Sequence, residues 1–431
     1  MIDVIGTDAG APASLPATHQ ALIRAASHIA APRRLQSALR AWLDDEASTL
    51  ISSDDPRALV SALKALPGAA KVVVLASGDP LWFGIGRILG DRLKPEELRF
   101  HPAPSALQLA FARIGRPWQD ASWVSLHGRD PDALSSALQK RPAALAVLTD
   151  PNQGGIDAVR RILISSGLDA SYQLWLCENL GHHSERVQRI RPEDPLPSQL
   201  QPLLTAVLIA EEPEAPPAAS LPLFGIDDGL FLQHADHPGL MTKREVRIQL
   251  LAELALPEQG VLWDLGAGTG SVGLEALRLQ PKLQLLAVER RAGGAALIQA
   301  NAQRLNVKAT EVLEHEVLAL LRNGGITPAL QQPDRVLLGG GGRDRSALLA
   351  AVLNVLRPGG VVVVPLATLE ALAQLRPQLE TAGLSVRVTQ LQAWRGQPLS
   401  DGTRLAPMNP TLILTGIKPR PADSTTTRES C

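Results

Sequence analysis

The chain has 431 residues, with 42 Lys and Arg against 43 Asp and Glu, and 45% of its residues are hydrophobic. A chain that is mainly disordered combines low hydropathy with high net charge, so this composition excludes disorder as the main state. The net charge of -1 and the 3% aromatic content argue against a nucleic-acid-binding protein, which normally presents a basic stripe or aromatic stacking platforms.

Cysteine usage and hydropathy indicate the compartment. Cys177 and Cys431 are too few for a disulfide framework, which favours a reducing environment. The first ten residues, MIDVIGTDAG, lack the basic and apolar regions of a signal peptide. No apolar run reaches the ~20 residues that a membrane-spanning helix needs. We therefore expect a soluble, cytoplasmic protein that binds neither nucleic acid nor a membrane.

The domain organisation follows from one change in composition. Residues 211–222 (EEPEAPPAASLP) are acidic and rich in Pro and Ala, which predicts a semi-extended linker. We therefore expect one domain over residues 1–210 and a second over residues 223–418. The polar tail, residues 419–431, is predicted to be disordered.

Both predicted domains alternate strand-like and helix-like segments, which indicates an α/β fold. In the first, the predicted strands are MIDVIG, KVVVLAS, ALAVLTD, YQLWLCEN and LLTAVLIA, with helices such as HQALIRAASHIA and ALVSALKAL. In the second, the strands VLWDL, LQLLAVE, ATEVLEH, DRVLLGG and GGVVVVPLA alternate with helices such as SVGLEALRL. SVRVTQLQAW and TLILTGIK follow with no helical pattern between them, which predicts that an antiparallel hairpin closes a doubly wound, Rossmann-like sheet.

A glycine-rich turn follows the first strand of the second domain. The string VLWDLGAGTGSVGLEAL contains Asp264 and the turn Gly266, Ala267, Gly268, Thr269 and Gly270. Such a turn lets the backbone approach a ligand, and the helix that follows presents unpaired N–H groups to it. The next strand ends in Glu289, about twenty residues on, where an acid can accept hydrogen bonds from ribose hydroxyls.

Two cofactors compete for this turn. Gly268, Gly270 and Gly273 match the dinucleotide spacing G-x-G-x-x-G. The fuller string D-L-G-A-G-T-G and the closing hairpin are more typical of S-adenosylmethionine (SAM) sites. SAM is therefore the preferred cofactor, and a dinucleotide-dependent oxidoreductase remains an alternative.

The first domain has two less distinctive turns. Gly78, Asp79 and Pro80 end an apolar strand, and Ser105 and Ala106 stand at a predicted helix start, where Ser105 has the chemistry of an N-cap. Taken alone, both turns fit ordinary turn and capping chemistry.

Longer strings around these turns resemble a known family. LASGDPLWFGIG, HPAPSALQLAFARIGRPWQDASWVSLHGR, LTDPNQGG and CENLG resemble the tetrapyrrole (precorrin) methylases of cobalamin synthesis. GLMTKREVR, LWDLGAGTGSVGLEA, PDRVLLGGGG and WRGQPLSDGTRLAPMNPTLILTG resemble their decarboxylating partner domain. The fusion in this order resembles the precorrin-6Y C5,15-methyltransferase (decarboxylating) family.

The resemblance implies a function for each domain. The first domain would methylate C-5 of a reduced tetrapyrrole, and the second would methylate C-15 and remove CO2 from the ring C acetate. It implies a homo-oligomer and two SAM sites. One site would use Gly78, Asp79, Pro80, Ser105 and Ala106. The other would use Thr242, the turn from Gly266 to Gly270, Glu289 and the backbone near Val317. The loop GTDAGAP departs from the family's G-x-G-P-G-D pattern, and His315 to Leu318 replace its Gly-Asp-Ala-Pro turn.

The polyanionic substrate requires cations in its cleft, and Arg suits bidentate carboxylate binding. The candidates beside the glycine-rich or family-like loops are Arg244, Arg247, Arg343, Arg345, Arg395 and Arg404, of which Arg244, Arg395 and Arg404 are the predicted substrate ligands. A sulfonium methyl is already electrophilic, so we expect no metal site, and the sequence indicates no catalytic acid or base. A remaining alternative is a single-site enzyme whose first domain only docks the substrate.

Overall fold

A computed structural model describes residues 1–43, 48–82, 84–126, 132–151, 154–201, 204–234, 236–340, 342–398 and 402–420. The chain forms two compact units. Unit 1 comprises Met1–Ala137, Pro142–Arg161 and Gln173–Ala210, and unit 2 comprises Leu138–Arg141, Ile162–Tyr172 and the chain from Glu211 onward. Of the predicted tail, everything after Arg420 lies outside the described residues. None of the helices in the described part of the chain is both long and apolar enough to cross a membrane.

The first 210 residues alternate strands and helices. The strands are β1 (Ile2–Thr7), β2 (His28–Ala31), β3 (Thr49–Ser52), β4 (Val72–Ser77), β5 (Leu98–His101), β6 (Ala121–Ser125), β7 (Ala144–Leu148), β8 (Tyr172–Glu178), β9 (Arg186–Ile190) and β10 (Leu204–Ala210). The helices are α1 (Ala17–Arg24), α2 (Arg33–Trp42), α3 (Pro56–Ala65), α4 (Ile85–Arg92), α5 (Ala106–Ile114), α6 (Asp132–Gln139) and α7 (Gly155–Ser165).

The remainder of the chain continues the alternation and then ends in strands. The strands are β11 (Gln259–Leu265), β12 (Lys282–Glu289), β13 (Glu311–Glu314), β14 (Arg335–Leu338), β15 (Val361–Leu366), β16 (Ser385–Leu391), β17 (Trp394–Pro398), β18 (Thr403–Pro407) and β19 (Thr411–Ile417). The helices are α8 (Arg244–Glu253), α9 (Ser271–Leu279), α10 (Gly294–Arg304), α11 (Val317–Asn323), α12 (Arg345–Val355) and α13 (Leu369–Thr381).

Unit 1 contains a parallel sheet with the strand order β3-β2-β4-β1-β5. In a parallel sheet all carboxyl ends meet at one edge, which is where α/β proteins bind their ligands. The edge brings together Asp8 after β1, Gly78 after β4 and Ser105 in the turn after β5. A second, mixed sheet has the order β6-β7-β10-β8-β9.

Unit 2 contains one large sheet with the order β13-β12-β11-β14-β15-β19-β16. The strands from β13 to β15 are parallel, and β19 pairs antiparallel with both β15 and β16. The Rossmann-like fold with its antiparallel closing strands is therefore confirmed. The side chains of β11 alternate between two cores: Trp263 packs in one and Leu262 in the other, together with Leu274 of α9.

Two local expectations need correction, and one segment is better packed than its composition suggests. The segment HQALIRAASHIA is only partly helical, because α1 ends at Arg24 and the last residues belong to strand β2. The closing pair β16 and β19 is interrupted by an additional antiparallel ribbon of β17 and β18, which the sequence analysis did not predict. The segment 211–222 packs more closely than its composition suggests, since Leu221 is buried in the unit 2 core and the Pro213 carbonyl accepts from Arg304 Nη2 at 2.5 Å.

Candidate functional site

The glycine-rich turn of unit 2 lies at the carboxyl end of β11 and leads directly into α9. Gly266, Gly268 and Gly270 all have positive φ angles, which glycine adopts without steric cost. A Cβ on Gly266 would lie 2.6 Å from the backbone of Gly340, so only glycine fits there. Beneath the turn, the buried carboxylate of Asp264 accepts a hydrogen bond from the Gly273 N–H at 3.0 Å. This hydrogen bond and the close contact with Gly340 support the observed conformation of the turn.

Glu289 ends strand β12 and closes the other side of the turn. Its Oε2 accepts from the Gly268 N–H at 2.8 Å, and its Oε1 accepts from the Arg291 N–H at 3.0 Å. Each carboxylate oxygen has a second lone pair, so the side chain can still accept hydrogen bonds from two hydroxyl groups. This is the arrangement that holds the ribose of a nucleoside cofactor.

A cavity of about 570 Å³ opens over this turn. Six of the predicted cofactor residues line it: Thr242, Gly266, Ala267, Gly268, Glu289 and Val317. Thr269 and Gly270 do not, because Thr269 is buried and a Cβ on Gly270 would meet Ile298 at 2.9 Å. A Cβ on Gly268 would meet only the Leu240 carbonyl oxygen, at 3.9 Å, so this glycine leaves open space for a ligand.

Cations line this cavity without being neutralised. Lys243, Arg290, Arg291 and Arg345 all belong to its wall, and no carboxylate of the described residues lies within 4.0 Å of their charged groups. Arg345 Nε donates to the Gly340 carbonyl at 3.0 Å, and Lys243 Nζ donates to the Gly239 carbonyl at 3.2 Å. The acid Glu316 at the rim instead caps α11 through the N–H groups of that helix. The cavity is therefore suited to an anion with several charges.

The arginines predicted as substrate ligands lie elsewhere. Arg395 forms a bidentate ion pair with Glu245, with both N–O distances at 2.8 Å. Arg244 Nε donates to the Gly225 carbonyl at 2.5 Å, and Arg404 Nη2 donates to Gln397 at 3.3 Å. None of the three lines the unit 2 cavity as the described residues define it.

Of the wider group of arginine candidates, Arg345 does line the cavity. Arg247 is fully buried, where it pairs with Glu275 at 2.6 Å and Asp228 at 3.1 Å. The side chain of Arg343 lies outside the described residues. Sequence reasoning did not single out Lys243, Arg290 or Arg291, although Lys243 follows Thr242 and the two arginines come directly after Glu289.

Unit 1 has its own cavity, of about 690 Å³, at the carboxyl edge of its parallel sheet. Gly78, Ser105 and Ala106 line it. Asp79 does not: its Oδ1 accepts from the Leu81 N–H at 2.8 Å, and it lines a smaller cavity of about 240 Å³ beside Trp82. Pro80 lines neither cavity, and its carbonyl accepts from the Gly86 N–H at 2.9 Å.

The unit 1 cavity also contains side chains that the sequence analysis did not select. Arg34 Nη2 donates to Ser77 Oγ at 2.6 Å, directly before Gly78. Asp8 belongs to the loop GTDAGAP, which differs from the family's glycine pattern. It accepts from the Gly10 N–H at 2.9 Å and from Ser14 Oγ at 2.5 Å. Arg34 was missed because it follows strand β2, whose residues the hydrophobic pattern assigned to a helix.

Each unit therefore combines a parallel sheet, a glycine turn at the carboxyl edge and a cavity over that turn. This defines a Rossmann-like α/β protein of the class that binds nucleoside cofactors. The described residues contain no cluster of three or more His, Cys, Asp or Glu side chains that could hold a metal ion.

Comparison with known proteins identifies the family. Residues 1–194 match the family of tetrapyrrole (corrin/porphyrin) methylases, and residues 233–418 match the precorrin methyltransferase domain. A Sinorhizobium protein named precorrin-6Y C(5,15)-methyltransferase [decarboxylating] is 37% identical over 293 residues, which cover 68% of this chain and 67% of that protein. A Mycobacterium tuberculosis protein of the same name is 27% identical, covering 95% of this chain and 98% of that protein.

A third relative, from Pyrobaculum aerophilum, is named probable cobalt-precorrin-6B C(15)-methyltransferase (decarboxylating). It is 34% identical, covering 44% of this chain and 94% of that protein. The chain belongs to the precorrin-6Y C5,15-methyltransferase (decarboxylating) family, a family of SAM-dependent methyltransferases.

Proposed function

We propose that the protein uses SAM to methylate precorrin-6B at C-5 and C-15 and removes CO2 from the ring C acetate, giving precorrin-8. The observation that carries this proposal is the unit 2 cavity. There Lys243, Arg290, Arg291 and Arg345, which pair with no carboxylate of the described residues, surround a SAM-type glycine turn. A tetrapyrrole with several carboxylates is the complementary ligand. The names of the full-length relatives describe the same two methylations and the decarboxylation.

We assign one SAM site to each domain, with residues 1–210 forming the first domain, 211–222 the linker and 223–418 the second domain. In the second domain, Glu289 would hold the ribose, and the backbone from Gly266 to Gly268 together with Thr242 and Val317 would surround the rest of the cofactor. In the first domain, Gly78, Ser105 and Ala106 would do so. The relative named only for C(15) methylation and decarboxylation aligns over 44% of this chain, which supports a division of the two activities.

The two methyl transfers require little of the protein beyond alignment of the reactants. The sulfonium group of SAM supplies an electrophilic methyl, and the bridging carbons of a reduced tetrapyrrole are enamine-like nucleophiles. The protein contributes most by holding the two reactants at the right distance and angle. This alignment alone accounts for much of the rate acceleration. The arginines of the unit 2 cavity orient the macrocycle through its carboxylates.

The deciding experiment is anaerobic incubation of the protein with SAM and reduced precorrin-6, followed by the mass of the pigment. A gain of two methyl groups with loss of one carboxyl group supports the proposal. A gain of one methyl group with loss of CO2 means that only the second domain is active, and that the first serves as a docking domain. A pigment that stays unchanged in the presence of folded protein contradicts the proposal.

We further propose a homo-oligomer in the cytoplasm that acts on this small-molecule substrate without nucleic acid or membrane partners. Light scattering of the purified protein, with and without substrate, measures the oligomeric state. A monomer at micromolar concentration would contradict the assembly but not the enzymatic activity.

A further inference from the structure

Decarboxylation requires a proton, and neither the sequence analysis nor the cofactor chemistry supplies its donor. When CO2 leaves the acetate, the electron pair of the broken C–C bond passes into the conjugated macrocycle. It must end in a new C–H bond on the former methylene carbon, which becomes a methyl group. A general acid in the unit 2 cavity would supply this proton.

Only one of the side chains that line the cavity is a suitable general acid. Arginine keeps its proton at every physiological pH, so Arg290, Arg291 and Arg345 can bind carboxylates but cannot donate a proton to carbon. Of the carboxyl groups in the wall, Glu289 and Glu316 already accept backbone N–H bonds through both oxygens, and Asp344 is exposed to solvent. Lys243 is the remaining titratable cation among the described residues of the wall.

We propose that Lys243 is the general acid of the decarboxylation, an assignment that rests on the proposed function. The Lys243 ammonium transfers a proton to the methylene carbon as CO2 departs, and the lysine is left as a neutral amine that regains its proton from solvent. The products of this step are a methyl group, CO2 and the neutral amine. No metal, oxidant or further reactant is required.

The position of Lys243 is held by buried structure. It is the residue directly before helix α8, and the preceding Thr242 carbonyl accepts from Arg247 Nη1 at 2.7 Å. Arg247 is itself locked by Glu275 and Asp228, so the backbone that carries Lys243 is anchored from below. The ammonium donates to the Gly239 carbonyl, which also belongs to the cavity wall.

The electrostatic surroundings favour proton release. Burial lowers the pKa of the Lys243 ammonium, and the positive charges of Arg141, Arg395 and Arg247 lower it further. Asp228 acts in the opposite direction but lies too far away for an ion pair. A lysine with a lowered pKa is a better proton donor than an ordinary lysine, because its neutral amine form is a weaker base.

The test compares Lys243→Arg and Lys243→Gln with the wild-type enzyme under the anaerobic conditions used for the mass measurement. Lys243→Arg keeps the positive charge but cannot give up a proton. We expect both variants to methylate C-15 and to decarboxylate about 100-fold more slowly, since general acids typically contribute 10²–10⁴-fold. The pigment should therefore accumulate as a methylated product that retains its carboxyl group. Small primary amines added to Lys243→Gln should restore part of the decarboxylation.

The matched control is Lys282→Gln, an exposed lysine of unit 2 that pairs with Glu258. It should leave both activities unchanged. A direct measurement of the pKa accompanies the kinetics: acetylation of Lys243 by a small acylating reagent, followed by mass spectrometry across pH, should give a midpoint below the ordinary value of about 10.4.

Two results would overturn the role of Lys243. One is decarboxylation by Lys243→Arg within about threefold of the wild-type rate, well short of the contribution of a general acid. The other is a parallel loss of methylation and decarboxylation in both variants, which would indicate a binding or structural role. Failure of the wild-type enzyme to react would instead contradict the proposed function itself.

Discussion

Each unit has a cavity at the carboxyl edge of its own parallel strands, but the two cavities are built in different ways. In unit 2, one contiguous stretch from Asp264 to Gly273 supplies the turn, its buried anchor and the start of the following helix, and Glu289 completes it. In unit 1, the lining comes from the ends of several strands, with Arg34 and Ser105 separated by 71 positions in the chain.

The consequence is a difference in how the two sites can be recognised and perturbed. The unit 2 turn has a local sequence signature, because neighbouring residues perform neighbouring tasks. The unit 1 cavity has no comparable signature, because its residues meet only after the sheet has formed. The charges of the two cavities also differ. Arg33 in the unit 1 cavity approaches Asp54 at 3.6 Å, whereas the four cations that line the unit 2 cavity have no carboxylate of the described residues within ion-pair distance.

The largest effect should come from filling the unit 2 cavity with Gly268→Trp. A side chain at this position grows into open space, so the variant should fold, lose C-15 methylation and decarboxylation, and keep C-5 methylation. Isothermal titration should show one SAM bound per chain instead of two. Gly324→Trp, which also has a positive φ and open surroundings, is the matched control and should retain both activities. Loss of both methylations in Gly268→Trp alone would show that the two sites are not independent.

A smaller, site-specific effect should follow from removing one cavity arginine in each unit. We expect Arg345→Gln to raise the KM of C-15 methylation, and Arg34→Gln that of C-5 methylation, each about tenfold, which corresponds to one charged hydrogen bond of about 1.5 kcal/mol. Initial rates against substrate concentration provide the measurement. The controls are Arg244→Gln in unit 2 and Arg99→Gln in unit 1, whose side chains contact Gly225 and Asp3 outside the cavities. A larger effect of Arg244→Gln than of Arg345→Gln would favour the ligand predicted from sequence.

The smallest effect concerns the stability of the unit 2 turn. Burial raises the pKa of Asp264 to about 7, and the charge of Glu289 adds to this. An unfolded Asp titrates near pH 3.9, so between about pH 4 and 7 the folded protein binds a proton that the unfolded chain has released. The free energy of unfolding therefore falls as the pH rises through that range.

Asp264→Asn, which cannot ionise, should therefore lose less stability between pH 5 and 7.5 than the wild-type protein. Calorimetry at several pH values would measure the difference, which we expect to be on the order of 5 °C in Tm. The amide oxygen of Asn can still accept from Gly273, so the turn should survive the substitution. Identical pH profiles for the two proteins would show that Asp264 is ionised in the folded state.

Several features of this protein could be predicted from its sequence because they depend on neighbouring residues. The parallel strands and the closing antiparallel pair follow from short apolar runs and the absence of a helical pattern. The glycine turn and Glu289 follow from spacing alone. Strand β2 was missed because its four residues are too short to show a period of their own beside helix α1.

The contacts of the long charged side chains could be read only from the tertiary structure. Arg395 was expected in the substrate cleft, but it meets Glu245, a residue 150 positions away in the chain. Lys243 lies one residue from a predicted cofactor ligand, and the sequence does not show that it donates to the Gly239 carbonyl and pairs with no carboxylate of the described residues.

The sequence by itself therefore determined the fold class, the glycine-rich turn and the family, since local geometry and contiguous motifs encode all three. The tertiary structure decided which cations line the unit 2 cavity and which are neutralised in ion pairs. The physical reason is that the interaction energy of a charge depends on its distance from other charges, and the nearest charges come from distant parts of the chain.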